Sequence, residues 1–280
     1  MKNRRIKKIV KRLPKYIILT VISLMVMGPF IWMVTTSFKE YTKVLLFPPQ
    51  WWPDPIAWWN YTDLFTRQPF HMYLYNSFFV SSLVTIGTCL FASLAGYAFA
   101  KIHFPLRNTL FLVLLSSMMI PIEVTSIPLF VGLSYFELAD SHFPLIVPQI
   151  FGSGGAFGVF LLRQFFITVP DELDEAAKID GCTPWRTFWK IMAPMAMPSF
   201  ATLCIFTFLN NWNEYFLPLI YLSSSKLYTV PLALSLFASE TGVEWNLIMA
   251  AATVSTIPLL TVFFMAQKKF IESLAMTGMK

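Results

Sequence analysis

The sequence predicts an all-α integral membrane protein with six transmembrane helices and a further short helix between the fourth and the fifth. Three observations lead to this fold class: the composition, the length of the uncharged segments and the distribution of the basic residues. Hydrophobic residues make up 56% of the 280 residues and charged residues 13%, whereas about a quarter of the residues of soluble domains are charged. The mean hydropathy is +0.61. A large soluble core could share this composition, so the arrangement of the apolar residues decides.

The apolar residues are grouped into segments long enough to cross a bilayer. A helix needs about 20 apolar residues to span about 30 Å of hydrocarbon. The segments without Lys, Arg, Asp or Glu, allowing one internal Glu in the third and the fifth, are 16–38, 68–100, 108–136, 141–162, 191–225 and 245–267. We therefore predict six membrane spans.

The first span is expected to be a retained helix, residues 16–36, after a basic arm at residues 1–15. A cleaved signal peptide is the alternative, because basic residues precede the apolar segment. The apolar part is longer than the 7–15 residues of a signal-peptide core, and no A-x-A cleavage site follows it. These two points favour the retained helix.

The basic residues predict the orientation in the membrane. Cytoplasmic loops carry an excess of Lys and Arg, and eight of the 21 basic residues precede residue 16. If this arm is cytoplasmic, both termini and the segment 168–192 are also cytoplasmic. Four basic residues are then left outside: Lys39, Lys43, Arg67 and Lys226. The topology accounts for the net charge of +6, so a nucleic-acid partner is not needed.

The predicted extracytoplasmic loop at 37–71 contains the aromatic stretch LFPPQWWPDPIAWWNY. Its four tryptophans suit the headgroup region of a bilayer, where amphipathic rings settle. A platform that stacks on sugar rings is the sharper alternative. We favour the interfacial belt.

The second to fourth spans carry small residues and prolines. Ala92, Ala95 and Gly96 form a small face that allows close helix contact in lipid. The run GSGGAFG at 152–158 lacks the Lys-Ser/Thr of a phosphate loop, so helix packing or a kink explains it better. Prolines within spans indicate helices that bend around a cavity.

Polar residues inside the spans are candidates for a polar path. Side chains of this kind are costly in hydrocarbon and should face the bundle interior or water. The candidates are Glu123 in the third span and Asn210, Asn213 and Glu214 in the fifth. Carboxylates at the membrane interface are the alternative for the two glutamates.

The cysteines and histidines predict neither a metal site nor a disulfide. Cys89, Cys182 and Cys204 lie far apart in the sequence, and the three histidines are equally scattered. No converging set of His, Ser, Cys and carboxylate groups points to a membrane enzyme.

The acidic stretch DELDEAAKIDG at 171–181 stands out in this apolar chain, because it holds five of the 15 acidic residues. Pro170 and the first acids suit the start of a helix, and Gly181 suits its end. Leu173, Ala176 and Ala177 fall at helical spacing on one narrow face. Such a helix is suited to docking into a groove on a partner, although a solvated amphipathic loop would have the same composition. Thr183-Pro184 then predicts a second helix that runs into the fifth span.

The stretch EAAKIDGCTPWRTFWKIMAPMAMP resembles the EAA loop of ABC importer permeases. The matching positions are Glu175, Ala176, Ala177, Asp180, Gly181, Ile191, Pro194 and Pro198, whereas Cys182 stands where alanine is common. The chain from about residue 70 to its end is similar to the MalG-like permeases of carbohydrate importers. SLAGYAFAKIHFP, MMIPIEVTSIPLF, LRQFFITVPDELDEAAKIDG and NWNEYFLPL carry this wider resemblance.

The resemblance implies a non-enzymatic permease subunit of an ATP-driven importer for a carbohydrate, with an oligosaccharide as the expected size. It implies a transmembrane domain at 72–267, with its coupling loop at 168–192, and a cytoplasmic tail at 268–280. The implied partners are a second homologous permease, two copies of a cytoplasmic ATPase and an extracytoplasmic binding protein. The chain itself would hold no metal and no cofactor, since ATP and Mg²⁺ would be bound by the ATPase. The implied ATPase-coupling residues are Glu172, Leu173, Glu175, Ala176, Ala177, Asp180, Gly181 and Arg186.

Three other interpretations stay open at this point. A related permease could carry another solute, such as glycerol phosphate or a peptide, and an ion-coupled transporter or a membrane enzyme would have a similar composition. By analogy with relatives, the loop 223–246 would contact the binding protein, and the C-terminal tail would contact the ATPase.

Overall fold

The computed structural model of the chain describes residues 2–239 and 242–277, so Glu240 and Thr241 of the predicted outer loop and the last three residues of the predicted tail lie outside the described residues. The regular secondary structure of the described part is helical, apart from one antiparallel pair of two-residue strands, and this confirms the all-α class. The α-helices are α1 Lys2–Ser37, α2 Trp59–Arg67, α3 Phe70–Lys101, α4 Arg107–Ser116, α5 Ile122–Tyr135, α6 Phe143–Phe151, α7 Ser153–Thr168, α8 Asp171–Ile179, α9 Pro184–Thr187, α10 Ala193–Met195, α11 Met197–Trp212, α12 Phe216–Tyr221, α13 Val230–Leu234 and α14 Trp245–Thr277. A π-helical segment, Phe188–Met192, joins α9 to α10. The strands are β1 Ala238–Ser239 and β2 Gly242–Val243, with Ala238 opposite Val243 and Ser239 opposite Gly242.

Four helical segments are long and apolar enough to cross a membrane: Pro14–Ser37, Phe70–Lys101, Phe143–Thr168 and Trp245–Met265. Two further pairs are bent, Arg107–Met119 against Ile122–Tyr135 by 95° and Pro184–Met195 against Met197–Trp212 by 77°. Pro121 stands at the first bend and Pro198 at the start of the helix after the second. Since proline has no N–H and clashes with the preceding turn, it disfavours a straight continuation there. The described residues thus contain four candidate spans, or six if each bent pair is one span.

The chain forms two compact units. The first unit holds the chain up to Gln68 together with Leu236–Thr256. Its buried centre is Asn60, whose amide donates to the carbonyls of Ser37 and Lys39 at 2.8 Å each and accepts from Asn246 at 2.9 Å. The ammonium of Lys39 lies 3.7 Å from the ring centroid of Trp32, in a cation–π contact.

The second unit holds Pro69–Ser235 and the chain from Ile257 onward. Helix α3 is central and packs against α7, α11 and α6. A Cβ atom added at Gly158 of α7 would lie 2.9 Å from the Cβ of Ala92, and one added at Gly96 would lie 3.0 Å from the backbone nitrogen of Arg163. The small residues of the second span thus provide the close helix contact that the sequence predicts.

The glycine run at 152–158 confirms the prediction of a kink. Helix α6 ends at Phe151, Gly152 is extended at ψ −152°, and α7 starts at Ser153. A Cβ at Gly155 would lie 2.0 Å from the carbonyl oxygen of Ile150, which no side chain can tolerate. The break between α6 and α7 therefore requires glycine at position 155.

Two of the cysteines are close together, which the sequence did not predict. The Sγ atoms of Cys89 in α3 and Cys204 in α11 are 3.2 Å apart, as free thiols. The two cysteines are 115 residues apart in sequence and meet because α3 and α11 pack side by side.

Candidate functional site

The acidic stretch forms α8, with the start and the end that its residues predict. Asp171, Glu172 and Asp174 lie in the first turn, after Pro170, where the helix dipole favours negative charge. At the other end the N–H of Cys182 donates to the carbonyl of Ala177 at 2.8 Å, and the N–H of Gly181 donates to Lys178 at 3.0 Å. This pair of bonds is a Schellman motif, and Gly181 has the positive φ of 75° that the motif requires.

The next helix also starts as predicted. The hydroxyl oxygen of Thr183 accepts from the backbone N–H of Arg186 at 3.4 Å, and Pro184 occupies the first turn of α9. Helix α9 continues directly into the π-helical segment. The bent pair that contains α11 thus begins at Pro184, directly after the turn that ends α8.

Helix α8 is held against the end of α3 by Lys101. Its ammonium donates to the carbonyl of Val169 at 2.5 Å and to the carboxylate of Asp171 at 2.6 Å, and it lies 3.9 Å from Asp174. The hydroxyl of Tyr97 donates to Asp174 at 3.2 Å. The hydrogen bond and the charge of Lys101 lower the pKa of Asp171 below its usual value. We call this arrangement of Tyr97, Lys101, Asp171 and Asp174 the α8 clasp.

The clasp divides α8 into a buried and an exposed side. Asp174 and Ala177 are buried, at 9% and 3% exposure. The exposed side carries Glu172, Glu175, Ala176 and Ile179 at helical spacing, and Ile179 is 87% exposed. Of the remaining predicted coupling residues, Leu173, Asp180, Gly181 and Arg186 are also exposed.

The predicted face of Leu173, Ala176 and Ala177 needs a correction. Leu173 and Ala176 are exposed, but Ala177 faces the interior of its own unit. The clasp on Asp174 turns the helix so that Ala177, one turn further along the same side, is buried. The sequence analysis missed Ile179, although the spacing i, i+3, i+4, i+7 from Glu172 indicates it. It also missed Trp185 and Trp189, which are exposed and in edge-to-face contact, with centroids 5.7 Å apart.

The four candidate path residues do not form one cluster. Glu123 is exposed in the first turn of α5, and Asn210 and Asn213 are exposed at the end of α11. The amide of Asn213 donates to the carbonyl of Leu209 at 2.8 Å. Glu214 accepts from the backbone N–H groups of Phe216 and Leu217 at 2.8 and 3.1 Å, so its carboxylate caps α12. A role for these residues in a path stays a prediction.

A cavity of about 270 Å³ lies elsewhere in the second unit. It is lined by the turn after α4, the start of α5, the break between α6 and α7, and α12. The sequence analysis discussed Gly152 and Ser153 as part of the glycine run, but it assigned no residue to a cavity, because the lining comes from four separate segments. Prolines inside the spans were the one signal for such a cavity.

The segment after α12 is fixed by side chains from other elements. The carboxylate of Asp140 accepts from the backbone N–H groups of Ser223 and Ser224 at 2.8 and 2.9 Å and from the Ser224 hydroxyl. These bonds lower the pKa of Asp140, and the bond from the Ser224 hydroxyl has the largest effect. The amide of Asn76 donates to the carbonyls of Lys226 and Tyr228 at 2.8 and 3.0 Å. The first part of the predicted loop 223–246 is therefore an ordered surface.

A bundle of bent apolar helices, with a cavity at its helix breaks and one short polar helix turned outward, is the architecture of a membrane permease. The chain belongs to the family of binding-protein-dependent transport system inner membrane components, whose sequence model matches residues 89–275. This match confirms the resemblance to importer permeases and the assignment to a multi-pass membrane protein. It also excludes the membrane-enzyme interpretation, because members of this family are transport components.

Curated relatives cover almost the whole chain. The chain is 31% identical over 267 residues to the sn-glycerol-3-phosphate transport system permease protein UgpE of Yersinia enterocolitica, covering 92% of this chain and 94% of the relative. It is 32% identical over 262 residues to the arabinooligosaccharides transport system permease protein AraQ of Bacillus subtilis, covering 92% of each. Similarity at this level extends well beyond the EAA loop.

A solved structure supports the fold. A chain of a bacterial ABC transporter involved in the import of the acidic polysaccharide alginate matches with a TM-score of 0.79 and 22% identity, over 96% of this chain and 98% of that one. Another structure of a bacterial alginate ABC transporter, in complex with an alginate pentasaccharide-bound periplasmic protein, matches with a TM-score of 0.68 and 16% identity.

Proposed function

We propose that this chain is a permease subunit of an ATP-driven importer that carries a carbohydrate, such as an oligosaccharide, across the plasma membrane. The observation that carries the proposal is the exposed side of α8 in a member of the binding-protein-dependent family. Glu172, Glu175, Ala176 and Ile179 offer a small apolar centre with an acidic rim. The clasp fixes the opposite side of the helix, so a force applied to α8 reaches α3 and α11.

Six spans with both termini in the cytoplasm are part of the proposal. If each bent pair is one span, there are six candidate spans. The positive-inside rule then puts the basic arm and α8 on the same side of the membrane. The domain division follows from this: a basic arm at 1–15, a span at 16–36, an outer loop at 37–71, a transmembrane domain at 72–267 and a tail at 268–280.

The proposed assembly contains a second homologous permease, two copies of a cytoplasmic ATPase and an extracytoplasmic binding protein. The family description names a binding protein, and the alginate transporter was solved with its periplasmic protein. ATP and Mg²⁺ would be bound by the ATPase, and Glu172, Leu173, Glu175, Ala176, Asp180, Gly181 and Arg186 would form or shape the surface that contacts it. Ala177 would act from the buried side.

Glycerol phosphate is the second candidate solute. The similarity to UgpE is as high as the similarity to AraQ, so the comparisons favour neither solute. An ion-coupled transporter is less well supported, because it would have no use for the exposed side of α8.

The first test is a purification of the chain from its native membrane in mild detergent, followed by mass spectrometry of the associated proteins. We expect a second permease and an ATPase. With Ile179→Glu, the ATPase should be lost and the second permease retained, because a carboxylate replaces the apolar centre of the contact. Lys226→Glu, a charge change on an exposed residue far along the chain from α8, serves as the control. Equal recovery of the ATPase with both variants would contradict the proposal.

A further inference from the structure

The cavity of about 270 Å³ borders the helix break in the interior of the proposed fourth span, away from both ends of that span. Helix α6 has nine residues and α7 has 16, so the break at Gly152 is about 14 Å from one end of that span and about 24 Å from the other, at 1.5 Å per residue. The bend of 95° between the two helices of the proposed third span borders the same space. Irregular backbone at membrane depth is tolerated where it lines a cavity that holds water or solute.

Three of the hydroxyl groups that line the cavity already donate to backbone carbonyls and can act as acceptors for a solute. Ser117 donates its proton to the carbonyl of Leu114 at 2.7 Å, Thr125 to Ile122 at 3.1 Å, and Ser126 to Glu123 at 2.9 Å. Each hydroxyl oxygen keeps lone pairs for a further bond. The lining therefore offers acceptors to a solute that brings its own donors.

Gln149 supplies the complementary groups. It lines the cavity from α6, is partly buried, and its amide has no hydrogen-bond partner within residues 2–239 and 242–277. An amide contributes two donor hydrogens and one acceptor oxygen. Tyr221 and Phe151 also line the cavity and contribute aromatic rings, in keeping with ligand sites that combine apolar walls with a few oriented polar groups.

The cavity has no charged lining. Among the described residues that surround it, none is Lys, Arg, His, Asp or Glu. A phosphate group placed there would lose water without gaining a cation, which is costly. The amino end of α7 at the break favours negative charge weakly, but no arginine or lysine adds to it.

We infer that this cavity is the chain's own part of the solute site, and that it recognises the hydroxyl groups of a neutral sugar ring and not a phosphate ester. The inference rests on the proposed function and adds to it the residues and the chemical class of the solute. Gln149 and Thr125 are the specificity-determining residues: Gln149 donates to and accepts from the sugar hydroxyls, and Thr125 accepts from them.

The test uses the complete transporter in proteoliposomes, with its partner permease, ATPase and binding protein. Uptake is measured with a panel of neutral pentose and hexose trisaccharides and with sn-glycerol 3-phosphate. The wild type is expected to take up a trisaccharide and not the phosphate ester. Gln149→Leu and Thr125→Val should each lower uptake of that trisaccharide about three- to tenfold, as expected for one lost hydrogen bond.

Two measurements separate a lost solute contact from a damaged fold. ATP hydrolysis stimulated by the binding protein should stay within about twofold of the wild type, because neither residue contacts α8. Thr109→Val, the same substitution at an exposed position outside the cavity, should leave uptake unchanged.

Each other outcome contradicts one specific claim: the cavity as the solute site, the sugar as the solute, or the proposed function itself. If Gln149→Leu and Thr125→Val transport normally while Gly181→Val does not, the cavity is not the solute site and the proposed function stands. Uptake of sn-glycerol 3-phosphate alone would overturn the sugar assignment and leave the permease. ATP-independent uptake would overturn the proposed function together with this inference.

Discussion

Lys101 shows how one residue can set the position of a helix in another part of the chain. Its side chain is 5% exposed, and an ammonium group in such surroundings needs charged or polar partners. Val169, Asp171 and Asp174 provide them, all near the start of α8. The residue that fixes the exposed side of α8 therefore lies some 70 positions earlier in the sequence.

Lys101→Met tests the clasp, because methionine fills similar space without the charge. Asp174 is then left with Tyr97 as its partner, and a buried group that loses its partner costs about 1–3 kcal/mol. Amide hydrogen exchange across α8 should become faster, and the ATPase should be recovered in lower amounts from the detergent complex. Lys178→Met, on the exposed surface of the same helix, is the control. Unchanged exchange in the Lys101 variant would show that the clasp does not hold α8.

At the scale of elements, the break between α6 and α7 depends on a backbone contact that leaves no room for a side chain. Position 155 faces the carbonyl oxygen of Ile150, as described above. Position 154 differs, because a Cβ there would lie at an ordinary 3.6 Å from the nearest carbonyl oxygen. The two neighbouring glycines thus form a matched pair for mutation.

Gly155→Ala is expected to destabilise the protein by about 1–3 kcal/mol, the usual range for forcing extra atoms into a packed interior. The melting temperature of the detergent-solubilised protein should fall, whereas Gly154→Ala should melt close to the wild type. A Gly155→Ala protein that melts at the wild-type temperature would mean that the helices do not break at this point.

The elements also show which parts of the site follow from local sequence. The ends of α8 and α9 are predicted by Pro170, the first acids, Gly181 and Thr183-Pro184. Such residues act on the backbone within a few positions of the helix end, so the local sequence is enough to predict them. The burial of Ala177 was not predictable, since it depends on Lys101 in another helix. The contact between Cys89 and Cys204, and the cavity, likewise arise where distant segments meet, and no pattern within a single segment reports such a meeting.

At the scale of the whole molecule, the proposed function requires that α8 moves together with the membrane helices to which it is joined. Gly181 is the junction on one side of α8, and its φ of 75° is a conformation that β-branched residues avoid. The space around it is open, with nothing within 4 Å of an added Cβ. A substitution there changes the backbone and not the packing.

Gly181→Val should abolish uptake by the assembled transporter while the chain still inserts into the membrane, because the turn after α8 can no longer form without strain. Gly181→Asn, a residue that tolerates this conformation, should retain much of the activity. Uptake in proteoliposomes and the amount of membrane-inserted chain are the two measurements. Normal uptake with the valine variant would show that this turn is not needed for coupling.

The π-helical segment Phe188–Met192 affects how α9 is rotated around the helix axis relative to α11. A π turn holds one residue more than an α turn, and one residue corresponds to about 100° of rotation around a helix axis. Converting this turn to regular α-helix would rotate Trp185 and its neighbours by about that angle relative to α11. In the proposed function, gain or loss of this one π turn would change the direction in which Trp185 faces, while the helices on either side keep their internal hydrogen bonds.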